Sequence, residues 1–332
     1  MKSFKFKKDK VFIVAEIGNN HEGNFENALK MVKAAADAKV DAVKFQTMNP
    51  DLFISSKDEK RINQLMKFRL KNEEFLELSR EANRLGLIFF STPFDLESAK
   101  FLKSIQSIFK ISSGDNNFFQ LINEIFDYKK STIISTGLST DSEIDSIYNN
   151  WLGRNPEFDL AFLHCVSSYP VPNNQANLCK INYLKNKYPK AIIGYSDHTL
   201  GIDACCSAVS AGAMIIEKHF TLDKNFSDFR DHKLSADLKE MTQLVKKIKL
   251  IKEMYGSSKG FIQPCEKDMK ISMRRSIAAS RNINEGSILE ENDFIWVRPG
   301  HGYSPGEENL FLGKKLKKDV IQGEILSLDM IK

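Results

Sequence analysis

The sequence predicts an α/β protein: a (β/α)8 TIM barrel followed by a small C-terminal β-rich module. Three observations lead there. Over roughly the first 250 residues, eight short β-branched or aromatic runs alternate with amphipathic helical patterns, the signature of a parallel sheet joined by right-handed crossovers. The runs are almost continuously apolar, as expected of strands covered on both faces. Near residue 274 the pattern changes to short strand-like runs separated by turn signals. Eight strand–helix units in about 250 residues is the size of a closed barrel. An open doubly wound sheet is the alternative, but no G-x-G-x-x-G follows the first run, which weakens a dinucleotide-binding version of it.

The expected strands are Val11–Gly18, Asp41–Thr47, Leu87–Phe94, Ile108–Asp115, Ser131–Gly137, Leu160–Ser168, Ala191–His198 and Ala213–Phe220. Between them apolar residues recur at helical spacing in Asn24–Ala38, Asn72–Leu85, Leu96–Ser104, Leu121–Lys129, Ser139–Asn150, Leu178–Tyr188 and Gly201–Gly212, and Leu238–Tyr255 follows the eighth strand. Residues 1–255 are therefore read as the barrel. Gly, Ser and Pro264 interrupt the periodicity over 256–273, read as a linker. Residues 274–332 form the β-rich module, with strands expected at Ser276–Ala279, Phe294–Val297 and Ile325–Leu328. A module of about 60 residues is marginal alone, so it is expected to dock onto a barrel.

The net charge of +5 is too small to identify a nucleic-acid binder. Its lysines are spread along the chain and read as solvated surface, and the sign also suits an anionic small substrate. The longest charge-free apolar stretch, Ala204–Ile216, has 13 residues, against about 20 for a membrane span. The first apolar run is only Val11–Ala15 before Glu16 intervenes, short for a signal-peptide core. A cytoplasmic protein with neither nucleic-acid nor membrane partners is expected. The five cysteines form no C-x-x-C pair, so neither a zinc module nor a disulfide framework is supported.

In such a barrel the chemistry sits at the C-terminal ends of the strands. Five of the six histidines (His21, His164, His198, His219 and His232) fall at or just after the expected ends, and His301 lies in the tail. A lone strand-end histidine is usually a satisfied structural residue; several on one rim point to a site. His198 and His219 end adjacent strands, so both imidazoles can face one ion. Two imidazoles with room for water and substrate oxygens suit a divalent metal such as Mn²⁺, acting as a Lewis acid. Glu217, two residues before His219, projects to the same side of an extended strand. Lys44, Lys110, Ser113, Ser135, Thr136, Ser167 and Ser196 supply donors for an anion, and the Ser-Gly and Ser-Thr-Gly turns let backbone N–H groups approach it. Glu16, Glu22, Asp115, Glu217 and Asp231 are candidate bases and partners.

The stretches AEIGNNHEG, VKFQT, STPF, KISSGD, ISTG, LHCVSSYP, GYSDHTLGI and EKHFTLD, in that order, resemble the sialic acid synthase (NeuB-like) family. The tail, with VRPGHG, resembles that family's C-terminal antifreeze-like (SAF) domain. The resemblance spans essentially the whole chain. It implies a transferase that condenses phosphoenolpyruvate with an N-acetylmannosamine-type sugar, giving a nine-carbon 2-keto-3-deoxy sugar acid and phosphate. It implies a divalent metal on His198 and His219, Mn²⁺ first, with Mg²⁺ and Co²⁺ as alternatives. Lys44, Thr92, Ser113, Ser135, Ser167 and Ser196 would surround phosphoenolpyruvate. Glu16 would be the general acid/base, with Asp115 and Lys44 also in the catalytic set. Gln46, Asp115, Tyr169 and Asp231 would position the sugar. Arg298 would reach its acylamino end from the partner subunit of a domain-swapped homodimer.

Two departures from the family pattern stand out. Ser167 occupies a position where some members have Asn or Thr. Ser-Asp-Phe-Arg230-Asp231-His232 replaces the Gly-Pro-Asp of several members, placing an added charge near the acceptor. Three other readings compete. One is a legionaminic- or pseudaminic-acid synthase acting on a diacetamido-trideoxy hexose. The second is a Schiff-base aldolase using Lys44 or Lys110. The third is a carbohydrate- or ice-binding module on an inactive barrel.

Overall fold

Eight parallel strands form the core of the computed structural model, which describes residues 4–7, 9–154, 156–256 and 259–332. They are β1 (Phe12–Gly18), β2 (Ala42–Thr47), β3 (Ile88–Pro93), β4 (Ile108–Ile111), β5 (Ser131–Ser135), β6 (Leu160–Cys165), β7 (Ile192–Asp197) and β8 (Ile215–His219). Their order is β3-β2-β1-β8-β7-β6-β5-β4. The expected barrel is therefore present, nearly closed. Only β3 and β4 lie side by side without a ladder among the described residues.

A buried side chain substitutes for the missing ladder. Gln106, just before β4, accepts the Ser91 N–H at 2.7 Å through Oε1 and donates to the Ser91 carbonyl at 3.2 Å through Nε2. One amide thus satisfies both backbone groups of a β3 residue that would otherwise be orphaned in the interior.

The helices follow from the periodicity and its caps. Asn24 accepts the Asn27 N–H to start α1 (Phe25–Asp37), and Thr140 and Glu143 close a capping box on α7 (Asp141–Gly153). The hydrophobic pattern assigns no element between β2 and the helix α4 (Asn72–Arg84). It holds α2 (Pro50–Phe53) and α3 (Glu59–Phe68). The remaining barrel helices are α5 (Leu96–Leu102), α6 (Phe119–Asp127), α8 (Cys179–Lys187), α9 (Asp203–Ser210), α10 (Arg230–Leu234) and α11 (Leu238–Tyr255). Outward strand residues such as Ile13, Val43, Phe89 and Ile216 pack with the apolar faces of these helices.

The inward faces change character along each strand. Val14, Ala42, Phe90, Ile108, Ile133, Leu163 and Ile215 form a buried apolar floor, joined by Phe6 and Phe12. Two residues further along, at the period of an extended strand, come Glu16, Lys44, Thr92, Lys110, Ser135, Cys165 and Glu217. Two strands end three or more residues earlier than expected. β4 stops at Ile111, because Asp115 N–H bonds back to the Ser112 carbonyl and the Ser112 hydroxyl donates to the Asp115 carboxylate, closing a turn. β6 stops at Cys165.

The chain divides into two units, Met1–Gly256 and Ser257–Lys332. The expected linker carries α12 (Lys267–Met273), every residue of it exposed. In the second unit β9 (Ser276–Ala279) pairs antiparallel with β10 (Phe294–Val297) over a core that includes Ile277, Leu289, Phe311 and Leu326. The expected third strand is absent: Ile325 makes one bridge to Ala278, and Leu328 opens a 3-10 turn.

Candidate active site

The polar ends of the inward faces line a cavity of about 280 Å³ at the barrel mouth. Its floor is an alternating set of buried charges. Lys44 Nζ lies 2.8 Å from Glu16 Oε2 and 3.8 Å from Glu217 Oε2, and Lys110 Nζ lies 3.6 Å from Glu217 Oε1. Burial pushes the Glu16 carboxyl up to about 7, against Lys44 and with help from Glu217. Burial also works against the Glu217 charge, but Lys110 and Lys44 outweigh it and hold that carboxyl below its usual range. The same contest leaves Lys44 raised by Glu16 and Glu217, whereas burial wins at Lys110 and lowers it. Two carboxyls a few ångströms apart therefore have separated roles: Glu217 stays ionised, and Glu16 exchanges a proton near neutral pH.

Hydroxyls complete the donor set. Lys44 donates to Thr92 at 3.0 Å, Lys110 to Ser135 at 2.8 Å, and Ser196 donates to Glu217 at 2.9 Å. The Ser113 hydroxyl accepts the Gly137 N–H at 3.1 Å, and the buried Ser167 hydroxyl has no protein partner. Gly137 cannot be larger, because a Cβ there would lie 2.5 Å from Ser167 Oγ and 2.6 Å from Ser113 Oγ. Gly18 also has a specific task. Its positive φ of 54° sits at a register shift in β1, and a Cβ would press on Glu16 Oε1 at 3.1 Å.

Of the five strand-end histidines, only His198 and His219 line the cavity. The expectation that all five converge is corrected. His164 sits between the inward residues Leu163 and Cys165, so it points outward, where Nε2 meets the Ala176 carbonyl at 2.8 Å and the ring stacks on Tyr195. His21 accepts the Gly23 N–H and is held near 4 by burial. His232 bridges Thr221 and Glu22.

The two remaining rings lie with centroids 5.3 Å apart. His198 Nδ1 is 2.9 Å from the Val166 carbonyl oxygen. A carbonyl only accepts, so Nδ1 carries the proton and Nε2 is the nitrogen free to coordinate. Burial works against a charge on His198, but the Cys165 sulfur outweighs it and raises the imidazole above its ordinary value. Burial and the neighbouring His198 hold His219 well below the usual range, so it is neutral, and its buried Nδ1 has no partner. This donor set fits a divalent ion with open positions. Among the described residues no group of three His, Cys, Asp or Glu side chains gathers around it.

Other lining residues bring apolar surface into the cavity. Gln46 donates to Glu16 at 3.2 Å and accepts from Asn19 at 2.8 Å. The Tyr169 ring meets His198 at 4.2 Å and the Arg230 guanidinium at 4.3 Å. Arg230 Nε pairs with the buried Asp231 at 3.2 Å. Met48, Phe53, Leu65, Phe94 and Phe229 add apolar wall, and Arg61 enters from α3. Sequence reasoning missed Asn19, Arg61 and this wall. α2 and α3 showed no barrel signal, and apolar residues beyond a strand end look like packing. Asp115 is half-buried, engaged by Ser112, and does not line the cavity. Arg298 lies in the second unit, just after β10.

A parallel barrel whose mouth holds paired cations, a proton-exchanging carboxyl and two imidazoles is an enzyme active site. The NeuB family model matches residues 31–260 and the SAF domain model matches residues 274–332, so the chain belongs to the NeuB family. It is 35% identical to N,N'-diacetyllegionaminic acid synthase of Campylobacter jejuni, over 96% of this chain and 99% of that relative. It is 37% identical to pseudaminic acid synthase of the same species, over 96% and 95%. The structure of N-acetylneuraminic acid synthetase from Leptospira borgpetersenii matches with a TM-score of 0.75 and 36% identity, over 79% of this chain and 90% of that one. No helix among the described residues is long and apolar enough to cross a membrane.

Proposed function

We propose that the chain condenses phosphoenolpyruvate with N-acetylmannosamine or a related acylamino hexose, and water, to give a nonulosonic acid and phosphate. The observation that carries this reading is the charge order of the mouth. Two buried ammonium groups, Lys44 and Lys110, stand among the hydroxyls of Thr92, Ser113, Ser135, Ser167 and Ser196, with Glu16 beside them. That set binds a small polyanion and moves a proton in one place.

Lys44, Lys110 and the serines hold the carboxylate and phosphate of phosphoenolpyruvate with C3 exposed. Gln46, Tyr169 and Asp231 present the open-chain sugar so that C3 forms a bond to its aldehyde carbon. The aldehyde oxygen takes a proton from solvent water and becomes a hydroxyl. Water adds at C2, giving its proton to Glu16, and the resulting tetrahedral centre expels phosphate to leave the ketone. A divalent ion held by His198 and His219, Mn²⁺ first, would polarise the aldehyde oxygen as a Lewis acid. Glu16 is favoured over Asp115 as the proton acceptor because only Glu16 lines the cavity. In this reading Arg298 comes from the partner of a domain-swapped homodimer and meets the acylamino end of the sugar.

One observation favours a second acceptor. The apolar wall of Met48, Phe53, Leu65, Phe94 and Phe229 suits a diacetamido-trideoxy hexose, which has a methyl where N-acetylmannosamine has a hydroxymethyl, and two relatives are legionaminic and pseudaminic acid synthases. Phosphate release from phosphoenolpyruvate, measured with N-acetylmannosamine, its 6-phosphate, mannose and the diacetamido-trideoxy hexose, decides between them. Release is expected with an acylamino hexose, lost on chelation and restored by Mn²⁺. No release with any acceptor overturns the reading, and full turnover by the chelated enzyme removes the metal from it.

A further inference from the structure

Directly behind the two histidines, on the outer face of the same strands, lies a second set of buried charges. Asp197 and Lys218 are register partners in the β7–β8 ladder, and their side chains pair at 2.8 Å with no exposure of either. Each precedes one of the histidines: Asp197 precedes His198, and Lys218 precedes His219.

The bonds of this pair converge on the turn that carries His198. Asp197 Oδ1 accepts the Thr199 N–H at 2.9 Å and the Tyr195 hydroxyl at 2.9 Å. Lys218 Nζ donates to the Thr199 carbonyl. Both backbone groups of Thr199 are therefore held, one by each member of the pair. Cys205 from α9 donates to the second carboxylate oxygen at 3.4 Å. His198 is thus fixed between two pinned residues, and its ring is fixed by the Val166 carbonyl.

Stability alone does not account for such a pair. Two charges buried under helices lose their hydration, and apolar residues of similar volume serve a fold as well or better. A metal site, in contrast, needs its donors held to within fractions of an ångström, and residues behind the ligands usually do this. We propose that Asp197 and Lys218 are positioning residues that set the spacing of His198 and His219 for a divalent cation. This rests on the metal assignment made under Proposed function.

The test uses Mn²⁺ alone as the probe, with its binding to the full chain followed by electron paramagnetic resonance. Lys218→Met by itself leaves a buried carboxylate unpaired and can unfold the barrel. The informative variant is therefore Asp197→Asn combined with Lys218→Met, which removes both charges and keeps an acceptor for Thr199 and Tyr195. It is expected to fold and to bind phosphoenolpyruvate within about twofold of the parent. Its Mn²⁺ affinity is expected to fall about 10- to 100-fold, the range for residues that support metal ligands. Unchanged Mn²⁺ affinity in the folded double variant overturns the proposal, as does a double variant that cannot fold, since the pair would then be structural. Absence of Mn²⁺ binding by the parent chain, or binding that survives His198→Ala, instead overturns the metal assignment, and the proposal with it.

Discussion

Two buried charge sets lie back to back across the barrel wall at β7 and β8, one on the outer face of these strands and one at the barrel mouth, and they differ in how completely they are satisfied. On the outer face every polar atom of Asp197 and Lys218 has partners within the protein. On the inner face, Ser167 Oγ and His219 Nδ1 are buried without a partner and Glu217 Oε2 has Lys44 only at 3.8 Å, whereas Glu16 Oε2 is paired with Lys44 at 2.8 Å. A satisfied set needs nothing further. An under-satisfied set next to a cavity is completed by a ligand, because orphaned buried groups are otherwise costly. Adjacent residues of one strand thus divide between holding the geometry and using it.

The comparison is broken most sharply at Glu16. Glu16→Gln keeps the shape, and with its amide oxygen turned to Gln46 it still accepts the Gln46 N–H, but the proton acceptor is gone. A fall in kcat of about 10²- to 10⁴-fold is expected, with phosphoenolpyruvate still bound. A normal rate would remove Glu16 from the mechanism. The same residue sets a pH dependence. Its carboxyl is raised from 4.5 to about 7 in the folded chain, so folding favours the protonated form. That stabilising contribution is complete below about 4.5 and is lost as pH rises through about 7. Relative to Glu16→Gln, the parent should lose stability over that interval while kcat/KM rises as the carboxylate forms. Parallel denaturation and rate profiles that coincide for parent and variant would contradict this.

The outer set responds differently. Lys218→Met, leaving the Asp197 charge buried and unpaired, should cost about 3–5 kcal/mol in chemical denaturation. A loss under about 1 kcal/mol would mean that water or a rearranged side chain reaches Asp197, and that the outer set is not closed. Lys110 sharpens the inner side. Burial lowers its proton affinity, the property a Schiff-base lysine needs. Incubation with pyruvate and borohydride should nonetheless leave the chain unlabelled, since phosphoenolpyruvate chemistry needs Lys110 only as a cation. Labelling at Lys110 would restore the aldolase reading.

Much of this was legible in the residues. All eight strands lie within two residues of their expected starts, and the apolar-to-polar change along each inward face explains why the C-terminal ends carry the chemistry. Glu217 and His219 project together because they are two apart on one strand. What periodicity could not show was which face each histidine takes once a strand ends early. His164 is reversed by one residue of alternation, and His21 and His232 leave the strands altogether. Nor could it show α2 and α3, which cover the mouth from outside the repeating strand–helix unit, or the partners of Asp197 and Lys218, which only the β7–β8 register brings together.

A further effect is expected at the junction of the ring that has no ladder among the described residues, and it tests whether outward satisfaction matters there too. Gln106 lies between α5 and β4, yet it is fully buried and takes both backbone groups of Ser91. Ser91 precedes Thr92, and Lys110 follows four residues after Gln106, so this amide spaces two residues of the inner set across the seam. Gln106→Leu fills the same volume but leaves the Ser91 N–H and carbonyl unpaired, at about 1–3 kcal/mol for each group. Gln106→Glu keeps both bonds only as the neutral carboxyl, whose C=O accepts the N–H and whose O–H donates to the Ser91 carbonyl, so its loss of stability is expected to grow as pH rises. The Ser91 amide should exchange with solvent faster in Gln106→Leu than in the parent, and the affinity for phosphoenolpyruvate should drop as Thr92 and Lys110 separate. If Gln106→Leu matches the parent in both stability and amide exchange, β3 and β4 are held by packing alone and the amide is incidental to the barrel.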